Sequence, residues 1–241
     1  MGAPASPASV VRAVIPAAGH GTRMMRVTGG AAKELLPLGE TTLIQHILDQ
    51  AFDICDKAIV VWDINKGQLP DGVPWVPQMP QRGLAPAIAS GVSSEETNLI
   101  FLPDAIFLPR DPASKLANMG EGDIVLALSK VSEEEVSLYG ICEVDDNGWV
   151  TKMLEKPTPD QTNSRWAITG RYKLSAEAGE LLISTVSSAP FDGKEIDLST
   201  YFAKALERGM RIAGCFLDAS YRRYDCGSPE GYERALEAFS K

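Results

Sequence analysis

The chain has 241 residues, 44% hydrophobic and 23% charged, which suits one large soluble α/β domain. A formal net charge of −9 excludes a protein that coats a polyanion; no nucleic-acid partner is expected, and a bound anion must meet locally gathered Lys, Arg or metal ions. No apolar run reaches the roughly 20 residues of a membrane span, and residues 1–9 read as a disordered lead-in with no secretory pattern, so the expected location is the cytoplasm with no membrane partner.

In chain order, "VVRAVIPA" predicts a strand over 10–17. "TLIQHILDQAF" follows with Leu43, Ile44, Ile47, Leu48 and Phe52 at helical period, capped by Thr41 or Thr42. "KAIVVWD" (57–63), "NLIFLPD" (98–104) and "DIVLALSKV" (123–131) read as further strands, and "LAPAIASGV" (84–92) as a helix. Three of these runs are apolar throughout, as in strands covered on both faces. The second half changes character. "YGICEV" and "WVTKMLEKP" flank "DDNG", a hairpin signal, and "RWAITGRYKL" is another strand. Helical patterns over 176–186 and 198–208, a strand in "RIAGCFLD" and a helix in "SPEGYERALEAF" close the chain, the last with Ser228 as cap and Pro229 in its first turn. The expected architecture is a single doubly wound α/β domain over 10–241, with a mostly parallel mixed sheet and an antiparallel insertion.

The loop "AAGHGTRM" follows the first strand, and ligands of open α/β sheets bind beyond the carboxyl ends of strands. Its backbone N–H groups could face an anion, with Gly19 and Gly21 allowing close approach and Arg23 offering a guanidinium fork. Neither G-x-x-x-x-G-K-[ST] nor G-x-G-x-x-G is present, since Met24 stands at the third glycine position. By itself the loop fits a plain glycine turn as well as a phosphate cradle.

Read together, "AAGHGTRM…KELLPLGETTLIQHIL" resembles the signature of sugar-1-phosphate nucleotidyltransferases, most strongly the glucose-1-phosphate uridylyltransferase and thymidylyltransferase group. "QMPQRGLAPAI", "FLPD", "YG", "EKP", "AITGRY" and "DCG" continue the likeness in family order along nearly the whole chain. The resemblance implies a Rossmann-like fold in which 10–110 bind the nucleotide, 120–227 bind the sugar phosphate through the antiparallel insertion, and 228–241 form a closing helix. It implies an Mg²⁺-dependent transfer of a nucleoside monophosphate from an NTP, UTP or dTTP, to a sugar 1-phosphate. The partners are thus small molecules, and a homo-oligomer is compatible with the family.

Carried over by motif, Arg23, Lys33 and Lys156 are the catalytic cations: Arg23 and Lys33 for the β- and γ-phosphates, Lys156 for the attacking sugar phosphate. Ala17, Ala18, Gly19, Gly21, Thr22, Gln78 and Gly83 surround the nucleotide, with Gln78 on the base edge. Gly140, Glu155, Arg165 and Thr169 belong to the sugar side, and Asp104 and Asp225 to the metal. Two residues depart from the pattern: Arg165 stands where the family has Asn, and Ser199-Thr200 where it has Thr-Asp. The arginine implies a different or more acidic sugar, or a locally shifted alignment, and both departures leave the identity of the sugar open. A cytidylyl- or guanylyltransferase acting on another phosphorylated or phosphonate substrate, and a non-catalytic nucleotide-sugar-binding protein, are the rival readings.

Other residues read as structural. His20 fills the loop, His46 belongs to a helix, and 133–135 form a solvated acidic face. Cys55, Cys142, Cys215 and Cys226 form no CxxC pair and are expected as reduced thiols without zinc.

Overall fold

The computed structural model describes residues 11–78, 82–190 and 195–240. After β1 (Val11–Pro16) the glycine loop passes through a short helix, α1 (Met25–Thr28), to a small hairpin, β2 (Pro37–Leu38) and β3 (Thr41–Thr42). This hairpin feeds α2 (Leu43–Phe52), and the Thr42 hydroxyl caps the helix by accepting from the Gln45 N–H. Next come β4 (Lys57–Trp62), β5 (Trp75–Pro77), α3 (Leu84–Gly91), β6 (Thr97–Phe101), β7 (Ala105–Leu108), α4 (Ala113–Ala117) and β8 (Ile124–Lys130).

The insertion is the hairpin β9 (Gly140–Val144) and β10 (Val150–Glu155). Asp145 Oδ1 accepts from the N–H groups of Asn147 and Trp149 across the turn, and Gly148 takes a φ of 84° that suits glycine. The chain then forms β11 (Trp166–Leu174), α5 (Ala176–Ser188), α6 (Leu198–Glu207), β12 (Ile212–Phe216), β13 (Arg222–Asp225) and α7 (Pro229–Phe239). Ser228 caps α7 with Pro229 directly behind it, as its sequence pattern requires.

The main sheet runs β10-β9-β11-β6-β1-β4-β5, with β8 on the free side of β11 and β12 on β8. Only β10 and β11 oppose the common direction, so the sheet is mostly parallel. Period-two alternation divides its side chains between two cores. Ala13, Ile15, Val60, Phe101 and Ala127 meet α2, α4 and α7; Val14, Val61, Ile100, Leu126 and Tyr172 meet α3, α5 and α6. A nearly all-apolar strand is the consequence, because both faces are covered.

Predicted strand ends agree within a few residues. Carboxyl-terminal overreach in "NLIFLPD" has a physical reason: the pairing stops at Phe101 because Leu102-Pro103-Asp104 turns into β7. Sequence patterning missed β7 and β13, which pair antiparallel outside the main sheet with Asp225 opposite Ala105. Each is only four residues long and finds its partner across the chain.

Candidate active site

A cleft of about 340 Å³ opens beyond the carboxyl ends of β1 and β6. Pro16, Gly19, Gly21, Thr22 and Lys33 line one side, Gln78, Gly83 and Ala87 another, and Pro103 and Asp104 the floor. Ala17 and Ala18 are fully buried at the loop root, where the Ala17 N–H donates to the Val61 carbonyl. Gly21 takes a left-handed φ of 61°, and its Cα lies against the Lys33 stem: an added Cβ would sit 3.4 Å from Lys33 Cγ and Cδ. Glycine here lets the loop and the lysine pack together.

A residue that sequence reasoning passed over holds the loop. Lys66 Nζ donates to the carbonyls of Ala17 and Gly19 and to Glu34 Oε2, each at 2.7 Å. Glu34 is buried beside Lys33, and burial pulls the Lys66 ammonium below the usual lysine range against the attraction of Glu34. Glu34 and Lys66 belong to separate segments with no shared motif, so spacing carried no signal for them.

At the floor, Lys33 Nζ meets Asp104 Oδ2 at 2.6 Å. Burial opposes the Lys33 charge, but Asp104 and Glu34 outweigh it and hold its pKa above the usual value. Burial likewise penalises the Asp104 carboxylate, yet Lys33 and Arg223 more than offset this and hold it below the usual carboxylate range. Both groups are therefore charged near neutrality.

The ribbon of β7 and β13 brings Asp225 to Asp104. The Cys226 N–H donates to the Asp104 carbonyl at 2.8 Å, and the Gly227 N–H to Asp225 Oδ1 at 3.0 Å. A Cβ on Gly227 would stand 2.9 Å from Asp104 Oδ2, 3.0 Å from Asp225 Oδ1 and 3.3 Å from Arg23 Nη2. One small space is thus shared by two carboxylates and a guanidinium, residues from three distant segments. Among the described residues no group of three or more His, Cys, Asp and Glu side chains forms a metal cluster. Two carboxylates around a side-chain-sized space suit Mg²⁺, which binds few protein oxygens and keeps water and phosphate ligands.

Across the cleft, Gln78 is almost fully buried and its Nε2 donates to the Gly83 carbonyl at 3.0 Å. Gly83 has a φ of 100° and no room for a side chain, since a Cβ would lie 2.9 Å from the Ile196 carbonyl oxygen. Met79, Pro80 and Gln81 of the same stretch lie outside the described residues.

On the insertion side, Gly140 pairs with Glu155 in the hairpin, and a Cβ on Gly140 would lie 3.4 Å from Glu155 Oε2. Lys156 follows with a φ of 45°, its N–H bonded to the Tyr139 carbonyl. Thr169 is buried with its hydroxyl donated to the Ala127 carbonyl, so that oxygen supports the sheet. Thr169 also lines a groove with Tyr139, Arg223 and Asp225.

Arg165, expected on the sugar side, is directed elsewhere. Its guanidinium binds the carbonyls of Thr162 and Ser164 and Glu133 Oε2 at 3.0 Å, and it lines a separate groove with Glu143 and Trp166. The acidic run at 133–135 supplies the partner that takes it away from the cleft. His20 lines the cleft mouth, and His46 is held by the Leu38 carbonyl.

The sequence pattern of the Nucleotidyl transferase family matches residues 12–241. This chain belongs to that family. The nucleotidyl transferase is 29% identical over 270 residues to a UTP–glucose-1-phosphate uridylyltransferase of Pseudomonas aeruginosa, covering 94% of each protein. Its fold matches a UDP-glucose pyrophosphorylase complexed with UDP-glucose, with a TM-score of 0.79, 25% identity, and coverage of 96% of this chain and 98% of that one. A UTP-bound UGPase from Acinetobacter baumannii shares the fold at a TM-score of 0.80 and 20% identity, over 95% and 93% of the two chains. In this nucleotidyl transferase the cleft, the glycine loop and Asp104 lie at the carboxyl edge of the main sheet, and the β7–β13 ribbon brings Asp225 there. No helix among the described residues is long and apolar enough to cross a membrane.

Proposed function

We propose that this nucleotidyl transferase moves a uridylyl or thymidylyl group from its NTP to a sugar 1-phosphate and releases pyrophosphate. The observation that carries the reading is the convergence of Asp104, Asp225 and Arg23 around Gly227, next to Lys33. An acceptor phosphate oxygen forms a bond to the α-phosphorus while the bond to the pyrophosphate oxygen breaks on the opposite side. Both reactants are polyanions, so positioning and charge neutralisation carry most of the catalysis. A phosphate monoester is already ionised at neutral pH, and no general base is required.

Arg23 and Lys33 would hold the β- and γ-phosphates, while Lys156 takes the acceptor phosphate. Asp104 and Asp225 would hold Mg²⁺, which when bound supplies charge neutralisation at the phosphates. Lys33 offsets part of the Asp104 charge across its 2.6 Å ion pair. Gly140 and Glu155 would border the sugar. Arg165 is left out of the acceptor site, because Glu133 and two carbonyls already occupy its guanidinium.

Gln78 suits this reading. One of its two Nε2 N–H groups goes to the Gly83 carbonyl, and its Oε1 is an acceptor that a base N–H can meet. Uracil and thymine present N3–H to such an acceptor, whereas cytosine presents a lone pair there. The names of the similar enzymes support UTP as donor and glucose 1-phosphate as acceptor. Four buried free thiols also suit a reducing, cytoplasmic compartment.

Pyrophosphate release measured across NTPs and sugar 1-phosphates tests the proposal. The highest kcat/KM is expected with UTP or dTTP and a hexose 1-phosphate, in an Mg²⁺-dependent reaction. Release only from CTP or GTP, or from no pair at all, overturns it.

A further inference from the structure

We propose that Arg223 is a further catalytic residue, whose guanidinium grips the phosphate of the acceptor. Arg223 and Asp225 are two apart on β13, so both face the same way, toward the site. Its Nη2 lies 3.8 Å from Asp225 Oδ2, beyond a hydrogen bond, and its charge registers at Asp104 and at the Tyr172 hydroxyl. The guanidinium sits over the Tyr139 ring, 5.0 Å from its centre. Tyr139 is also the residue whose carbonyl accepts from the Lys156 N–H, just before Gly140. The Arg223 guanidinium and the Lys156 backbone therefore both touch one tyrosine, between the paired carboxylates and the insertion.

Arg223 is largely withdrawn from solvent, yet among the described residues its guanidinium makes no hydrogen bond, and its buried Nε has no partner. Compare Arg171, whose donors are all engaged by Asp111 and carbonyls. Buried donors are ordinarily satisfied, and leaving them unsatisfied is costly unless a ligand supplies the acceptors. A planar fork with free donors matches two oxygens of a phosphate monoester. The groove it lines, with Tyr139, Thr169 and Asp225, measures about 400 Å³ and adjoins the carboxylates. In the reaction Arg223 donates hydrogen bonds to non-attacking oxygens and transfers no proton; the third oxygen attacks the α-phosphorus as pyrophosphate leaves.

The inference rests on the proposed acceptor class, and two measurements separate the two. The first is steady-state kinetics with UTP, glucose 1-phosphate and Mg²⁺ for Arg223→Gln and Arg223→Lys. Loss of charged hydrogen bonds to the acceptor is expected to raise its KM about ten- to a hundredfold in Arg223→Gln, with the KM for UTP changed less than about twofold. Arg223→Lys should recover part of the loss, and it reads the same split if the glutamine variant fails to fold. The second is metal-free calorimetry with glucose 1-phosphate and with inorganic phosphate, which needs no turnover. Binding of each should weaken by a factor similar to the KM change in Arg223→Gln, and by less in Arg223→Lys. If Arg223 serves only to neutralise the carboxylates, the half-saturating Mg²⁺ concentration falls while acceptor KM and phosphate binding stay put, and the proposal is overturned. A wild type that turns over no sugar phosphate defeats the acceptor assignment alone, because Arg223-dependent binding of inorganic phosphate still stands or falls by itself.

Discussion

Gly227 shows how one missing side chain can define a site. Its neighbours are Asp104 Oδ2, Asp225 Oδ1 and Arg23 Nη2, all close to where a Cβ would project. Gly227→Ala should leave the fold intact, since its backbone does not need a positive φ. The added methyl must push the carboxylates apart, and turnover should fall about a hundredfold, the scale of an ångström-level misplacement of reacting groups. Kinetics alongside a thermal melt check this; a fully active, equally stable variant would show that the shared space is not used. The resemblance led to "DCG" and "FLPD" in the sequence, but nothing in either motif says that Gly227 lies between their aspartates. Lys66 and Glu34 lie further beyond reach, because a buried ion pair between distant segments leaves no periodic trace.

At the scale of elements, the decisive unit is the segment joining β6 to β7, which carries Asp104. Arg171 on β11 fixes it from behind. Its Nη1 donates to the Leu102 carbonyl, its Nη2 to the Ala105 carbonyl, and Asp111 closes the other side through both carboxylate oxygens. Arg171 is 1% exposed and stacks near Phe101 and Phe107. Arg171→Met would strand the Asp111 charge and release the carbonyls of Leu102, Gly170 and Ala105. The expected cost is about 3–5 kcal/mol of unfolding free energy, the range for breaking a buried pair from one side. Urea unfolding measures it, and a loss below about 1 kcal/mol, typical of an exposed pair, would refute the bracing role. Strand β11 was legible from its apolar pattern, yet "GRY" within it reads as an ordinary polar interruption. Only the pairing of Arg171 with Phe101 across β6 reveals what the arginine holds.

For the whole molecule, the two cores on either side of the sheet also bury the cysteines. Burial pushes the Cys55 and Cys142 thiols up to about 12, and Cys226 likewise, aided by Asp104 and Asp225. Since the thiolate is the reactive form, native protein at pH 8 should resist an aromatic disulfide reagent, and denaturant should expose all four thiols. Rapid labelling of Cys226 in native protein would mean that the carboxylate turn opens readily. The same global arrangement keeps one sheet continuous from the cleft to the insertion, so both proposed substrate regions share a single support.

Sequence by itself determined the alternation of apolar runs and helical stripes, because both record which faces must leave water. It also determined the caps at Thr42 and Ser228 and the turn at 145–148, which are local hydrogen-bonding problems solved within a few residues. The family likeness added the candidate residues in order. Tertiary structure alone decided which of them meet: it joined β7 to β13, set Lys33 on Asp104, tied Arg165 to Glu133, and left Arg223 with unused donors. Those outcomes depend on distances between segments far apart in the chain. No local pattern encodes such distances, because they arise only when both cores close around the sheet.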